Sequence, residues 1–156
     1  MQDHIQIYTD GSSRGNPGPG GYGIVLKYKG NVKEHSRGFR LTTNNRMELL
    51  AVIDGLALLK TNQLPVVIYS DSKYVIDTVE KGWLNNWIKT NFKGKKNKDL
   101  WMRYYEIAKQ FQIKFSWIKG HNGHAENERC DELAVLAATG KNLGIDSVYE
   151  SESNLL

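Results

Sequence analysis

Residues 65–81 read PVVIYSDSKYVIDTVEK, and the change of pattern inside them decides the architecture. Pro65 to Tyr69 is short, apolar and β-branched, as expected of a fully buried strand. Ser70-Asp71-Ser72 ends that strand and offers a cap for a helix reaching about Lys81. A buried strand running straight into a helix is the unit from which parallel sheets are assembled.

The chain on the N-terminal side reads differently. Ile5-Gln6-Ile7-Tyr8-Thr9 alternates and is expected to form a strand ending near Asp10. From Gly11 to Gly23 come six of the fifteen glycines with Pro17 and Pro19, a composition that predicts a tight, irregular turn. Tyr22 to Tyr28 and Val32 to Phe39 follow as strands, joined through Lys29-Gly30-Asn31. A long helix is expected from Arg46 to about Lys60, after the cap candidates Thr42 to Asn45. Beyond Lys81 the pattern predicts a short helical piece at Trp83–Ile88 and a helix from Lys98 to Phe111. A strand from Ile113 to Ile118 and a helix from Ala125 to Ala138 complete it. The expected class is α/β: a mixed five-stranded sheet, parallel in its later part, with helices on both faces. Residues 1–140 read as one domain; residues 141–156 are polar and acidic and read as a flexible tail.

Composition narrows the possible roles. Forty per cent apolar and 24% charged residues suit a folded soluble domain, and no apolar run approaches the roughly 20 residues of a membrane span. The start, MQDHIQIYTDGSS, lacks the features of a secretory signal, and the lone Cys130 fits a reducing compartment, so a cytoplasmic monomer is expected. Charge is unevenly placed. From Lys81 to Arg103 seven basic residues face the single acid Asp99, whereas the rest of the chain is net acidic. An anionic partner held at one place would explain this.

Four acids carry the chemical expectation. Asp10 and Asp71 end strands that would lie side by side if parallel, Glu48 opens the following helix, and Asp131 lies in the last helix. Each has an ordinary alternative. Asp71 can be a helix cap, Glu48 a favourable charge at a helix N-terminus, Asp10 a turn residue before glycine and Asp131 a solvated surface acid. Jointly these alternatives fail, because four converging carboxylates repel one another unless a hard cation sits among them. Few carboxylates with retained waters suit Mg2+, with Mn2+ as a substitute, and one or two ions would suit phosphodiester hydrolysis without a nucleophilic side chain. His121 and His124 lack the further ligands that zinc would need.

Four blocks resemble the signatures of the type 1 ribonuclease H family, in the family's order. They are YTDGSSRGNPGPGGYG (8–23), TTNNRMELLAVIDGL (42–56), YSDSKYVIDTV (69–79) and KGHNGHAENERCDELA (119–134), each with one of the acids. The resemblance spans residues 5–138, and the single-domain bacterial enzymes are the nearest in character. It implies a ribonuclease H-like fold and cleavage of the RNA strand of an RNA–DNA hybrid, leaving 5′-phosphate and 3′-hydroxyl ends. It implies Asp10, Glu48, Asp71 and Asp131 as metal-binding catalytic acids, with His121 assisting in proton handling or product release. Ser13 and Asn16 fall where the family contacts the RNA strand, and Thr43, Asn44 and Asn45 where it contacts the DNA strand. Where the family commonly has an amide after the Asp-Ser pair, this chain has Lys73, which offers a cation to a phosphate in place of an amide contact.

The basic segment matches the family's protrusion but is several residues shorter. Its lysines, with Lys89, Lys93, Lys95 and Lys96 foremost, would neutralise phosphates, and Trp83 and Trp87 are candidates to lie against sugars or bases. The alternative is that the aromatics pack between helices; Trp83 and Trp101 are expected mostly in the core. Two rival functions stand beside the nuclease. A binding module without catalysis explains the basic segment but not the spaced acids, and a related metal-dependent nuclease or integrase would act on DNA.

Overall fold

The computed structural model describes residues 3–120 and 124–153. Five strands form one sheet in the order β3-β2-β1-β4-β5. Strands β1 (Ile5–Ser13), β2 (Gly18–Tyr28) and β3 (Asn31–Thr42) are an antiparallel meander. Strands β4 (Val66–Ser70) and β5 (Ile113–Trp117) add in parallel beside β1. Helix α1 (Asn44–Ala57) connects β3 to β4. Helices α2 (Lys73–Glu80), α3 (Trp83–Lys89) and α4 (Lys98–Ala108) lie between β4 and β5, and α5 (Ala125–Ala138) follows. The mixed sheet has helices on both faces, as the sequence pattern predicts. No helix among the described residues is long and apolar enough to cross a membrane.

Alternation along the strands sorts side chains between two layers. Ile7 and Ile24 face α1, where Met47, Leu50, Val52, Ile53 and Leu56 complete the core. Helix α1 is apolar on most sides because the sheet lies along one flank and α4, with buried Leu100, Trp101 and Tyr104, along the other. The opposite face is nearly bare of side chains in the middle. There Gly21, Gly23 and Gly38 lie under α5, and a Cβ on Gly23 would strike the Cys130 carbonyl. With Cys130, Ala134 and Ala138 all buried, this lets α5 press directly on the strands.

Three departures from the sequence expectations bear on how the chain is packed. The glycine-rich stretch is not one long turn. Strand β1 runs on to Ser13 and β2 starts at Gly18, with Gly11 opposite Tyr22 and Ser13 opposite Gly20, so the turn is only residues 14–17. The glycines there serve close packing more than turning. Helix α1 begins two residues earlier than expected, because Thr43 is the cap, its Oγ1 accepting from the Arg46 N–H at 3.3 Å.

The third departure is the C-terminal segment, read from composition as a flexible tail. It crosses beside β3, where Gly144 bridges to Phe39, and ends in helix α6 (Ser147–Ser153). Asp146 is buried, accepting from Arg46 Nε at 2.7 Å and Thr42 Oγ1 at 2.7 Å, and Glu150 pairs with Arg40 at 2.8 Å. Arg46, only 2% exposed, also donates to both carboxylate oxygens of Asp99 at 2.8 and 2.7 Å. One guanidinium therefore joins α1, the start of α4 and the C-terminal segment.

Candidate active site

Strand register brings the first two acids together. Ile5 pairs with Val66 and Tyr8 with Tyr69 in the parallel ladder; continuing that register sets Asp10 beside Asp71, both side chains on the α5 face. Glu48 comes from the other layer, in the second turn of α1. It reaches the same point because residue 11 is glycine: a Cβ there would collide with the main chain of Met47 and Glu48. The Gly11 N–H donates to Glu48 Oε1 at 2.7 Å and to Asp10 Oδ1 at 3.0 Å, tying strand and helix at one amide.

Asp10, Glu48 and Asp71 each place a carboxylate oxygen within 4.8 Å of the others, and the three can hold a metal ion together. Asp10 is 7% exposed and Glu48 5%. Burial, then the charges of Asp71 and Asp131, push the Asp10 carboxyl up to about 8. Burial, with Asp10 and Asp71 beside it, pushes Glu48 well above the usual carboxylate range.

The ordinary alternatives for these acids are removed one at a time. Ser72, not Asp71, caps α2, its Oγ accepting from the Val75 N–H at 3.2 Å. Asp71 Oδ1 is buried without any hydrogen-bond partner, while a Cβ on Gly120 would come within 2.8 Å of Oδ2. Asp10 lies within a paired strand, not in a turn. Glu48 is bonded to Gly11 across the layer interface, not to its own helix terminus. A buried carboxylate oxygen with no donor, beside two other carboxyls that favour protons, fits a divalent cation. Asp131, on α5, is near enough to raise the proton affinity of Asp10 but does not join the group of three.

This centre occurs within a chain whose residues 2–139 match the family model for RNase H. The chain belongs to the ribonuclease H family. It is 53% identical over 147 residues to the ribonuclease H of Desulforamulus reducens, covering 91% of this chain and 92% of that one. Among solved structures it is similar to a type 1 RNase H described as having the type 2 active-site motif, with 30% identity and TM-score 0.79, covering 100% and 83% of the two chains. It is also similar to an RNase H1 solved in complex with an RNA/DNA hybrid, with 28% identity and TM-score 0.67, covering 86% and 96%.

The other candidates of this ribonuclease H fold lie around the acids in unequal ways. Ser13 ends β1, and Asn16 stands in the turn after it, its Oδ1 accepting from the Asn44 N–H at 3.1 Å. That bond draws the turn against the start of α1, where Thr43 and the exposed Asn45 also lie. Lys73 is the first residue of α2. Lys89, Lys93, Lys95 and Lys96 are all exposed on and after α3, in a loop where Asn91, Phe92 and Asn97 have positive φ. Trp101 is fully buried, as expected, but Trp83 is not in the core: it is 40% exposed at the first position of α3, with Lys81 over its ring at 5.4 Å. The left-handed Gly82 turns the chain so that Leu84, not Trp83, points inward. Trp87 is half-buried against Trp101 and Phe92 and presents a face to Lys95 at 5.3 Å. His121 lies outside the described residues.

Sequence reasoning missed Gly11 as the shared donor and Trp117 as a neighbour of Asp71. The first had a signal, since Asp10-Gly11 continues the strand pattern into the family's first block. The second had none, because it depends on the β4–β5 register.

Proposed function

We propose that the chain is an endonuclease that hydrolyses the RNA strand of RNA–DNA hybrids with Mg2+, for which Mn2+ can substitute, leaving 5′-phosphate and 3′-hydroxyl ends. The observation that carries this reading is the meeting of three carboxylates from separate parts of the chain, two of them buried and the third, Asp71, with a buried, unpartnered oxygen. When bound, divalent ions supply polarisation of the water and neutralisation of charge on the phosphoryl group.

In this reading Asp10, Glu48 and Asp71 are the ligands, and the Gly11 amide orients two of them. Asp131 adds negative charge beside Asp10, which would favour a second cation on that side of the group. His121 handles a proton or aids product release, as in the family resemblance. Ser13 and Asn16 address the 2′-hydroxyl side of the duplex, a group that DNA lacks. Thr43, Asn44 and Asn45, at a helix N-terminus, suit a phosphate of the DNA strand. The exposed lysines from Lys89 to Lys96 grip the backbone further out, with Trp83 and Trp87 beside them. A cytoplasmic monomer fits the single, buried Cys130.

The test is cleavage of an end-labelled hybrid, a DNA duplex and an RNA duplex in parallel, with magnesium and then with EDTA. Only the hybrid should be cut, only with metal, and mapped RNA products should carry 5′-phosphates. Cleavage of the DNA duplex instead would favour the integrase-like alternative, and binding without cleavage would favour the binding module. Raising salt by about 100 mM should increase the KM for hybrid several-fold. Replacing Lys93, Lys95 and Lys96 with glutamine should lower the slope of log KM against log salt by roughly two to three. An unaltered slope would remove this segment from the binding surface.

A further inference from the structure

Lys73 and Trp117 form a device that the acid cluster alone does not require. The Lys73 ammonium lies 4.1 Å above the indole centroid of Trp117, the last residue of β5. The indole Nε1 in turn approaches the main-chain oxygen of Asp71 at 3.4 Å. Trp117 is 46% exposed, so this ring is spread over the surface beside the metal-binding acids and not packed into the core. Among the described residues Lys73 has no carboxylate within ion-pair distance.

The physical effect is to hold a cation without neutralising it. An exposed lysine normally samples many rotamers, and ordering it for a ligand has an entropic cost. An indole face restrains the ammonium through its quadrupole and covers the aliphatic stem, yet leaves the full charge for an anion. A carboxylate partner would have restrained Lys73 too, but would have cancelled that charge. The position matters equally: Lys73 is two residues beyond Asp71, so its charge stands at the border of a strongly acidic site that by itself repels a phosphodiester strand.

We propose that Lys73 binds a phosphate of the cleaved strand adjoining the one at the acid cluster, and that Trp117 is a positioning residue acting through Lys73. The inference rests on the nuclease reading of the site. It also gives the departure from the family's amide a consequence: a neutral donor is replaced by a point charge, so binding at this subsite becomes dependent on salt.

The experiment measures KM and kcat for hybrid cleavage across a salt series, and hybrid Kd by fluorescence anisotropy in EDTA. The proteins are wild type, Lys73→Met, Lys73→Arg, Trp117→Ala, Trp117→Phe and the double variant Lys73→Met with Trp117→Ala. Lys73→Met should raise KM and Kd about five-fold at low salt and reduce the salt slope by about one, the change falling on KM and not kcat. Lys73→Arg and Trp117→Phe should stay near wild type. Trp117→Ala should raise KM about three-fold, and the double variant should be no worse than Lys73→Met alone, the signature of one residue working through the other.

If Lys73→Met leaves KM, Kd and slope unchanged, the proposal is overturned whatever Trp117 does. If the two losses multiply in the double variant, Trp117 does not act through Lys73 and that half is overturned. Should Trp117→Ala not fold, the Trp117→Phe and Lys73 variants still decide the matter. A wild type that binds hybrid without cutting it would count against the nuclease reading, and the Kd of Lys73→Met would still judge the contact.

Discussion

Asp10→Asn is expected to bind hybrid nearly as well as wild type and to lose roughly 10³-fold or more of its magnesium-dependent cleavage. The amide keeps the shape of the carboxyl and can still accept from the Gly11 N–H, so the strand is undisturbed. What disappears is one of three carboxyl groups that can give up a proton to a cation at a shared point. The same substitution should make the metal-free protein more stable, which a purely structural role for Asp10 would not produce. In the folded chain the Asp10 carboxyl is pushed up to about 8, by burial and by Asp71 and Asp131, against roughly 4 in an unfolded chain. The fold thus favours the protonated acid. Stability associated with that proton is fully present below about pH 4 and is lost as pH rises through about 8. In EDTA at pH 9, Asp10→Asn should therefore exceed wild type by on the order of 2 kcal/mol, or roughly 4–8 °C in Tm. The gap should narrow at pH 5, and magnesium should raise the wild-type Tm at pH 9 more than that of the variant. Near-normal turnover by Asp10→Asn would undo the assignment of the centre.

The largest loss of stability is expected at Arg46. Its guanidinium is buried and makes four bonds to the carboxylates of Asp99 and Asp146, at 2.7 to 2.9 Å, with Asn97 adding a fifth at 3.3 Å. Arg46→Met keeps the bulk of the stem and removes every donor, leaving two carboxylates facing each other in a partly buried space. Breaking a buried network from one side costs about 3–5 kcal/mol, here roughly 10 °C in Tm. Burial pushes the Asp99 carboxyl up, but the bonded guanidinium outweighs it and holds the group below its ordinary range. That contribution is present at neutral pH and is lost as pH falls through the depressed value. Urea melts at pH 7 and in acid should show a large deficit in the variant at neutral pH that shrinks on acidification. A deficit under 1 kcal/mol at pH 7 would mean that the network is ornamental. Limited proteolysis should also open the variant first after Gly140, since Asp146 anchors that segment through Arg46 and Thr42.

What the sequence made legible, and what it did not, follows the range of the interaction. The β4–α2 unit is a local pattern, and its strand end predicts where Asp71 stands; the parallel neighbour β1 then brings Asp10 beside it. Glu48 was readable as an acid near a helix start, but its route to the centre through Gly11 depends on two layers meeting. The C-terminal segment was misread because its composition is that of a tail; its order derives from Arg46, 100 positions away, and nothing in residues 140–153 advertises that partner. Trp83 was misread for the reverse reason. Its large apolar surface suggests burial, yet the backbone at Gly82 presents it outward. Lys73 was visible as a departure from a family pattern, but its restraint by Trp117 belongs to sheet register and not to spacing along the chain.

The parallel pairing of β1 with β4 has a consequence for how the chain is made. Asp10 and Glu48 are made first, but their partner at residue 71 follows only after α1 and the whole of β4 have been synthesised, and Asp131 later still. Because neighbouring side chains on a strand point to opposite faces, a one-residue slip between β1 and β4 would send Asp71 to the wrong side. A nascent or misthreaded polypeptide therefore has no assembled cutting centre. Assembly of the metal ligands thus doubles as a check on threading: a chain paired out of register cannot gather its three acids.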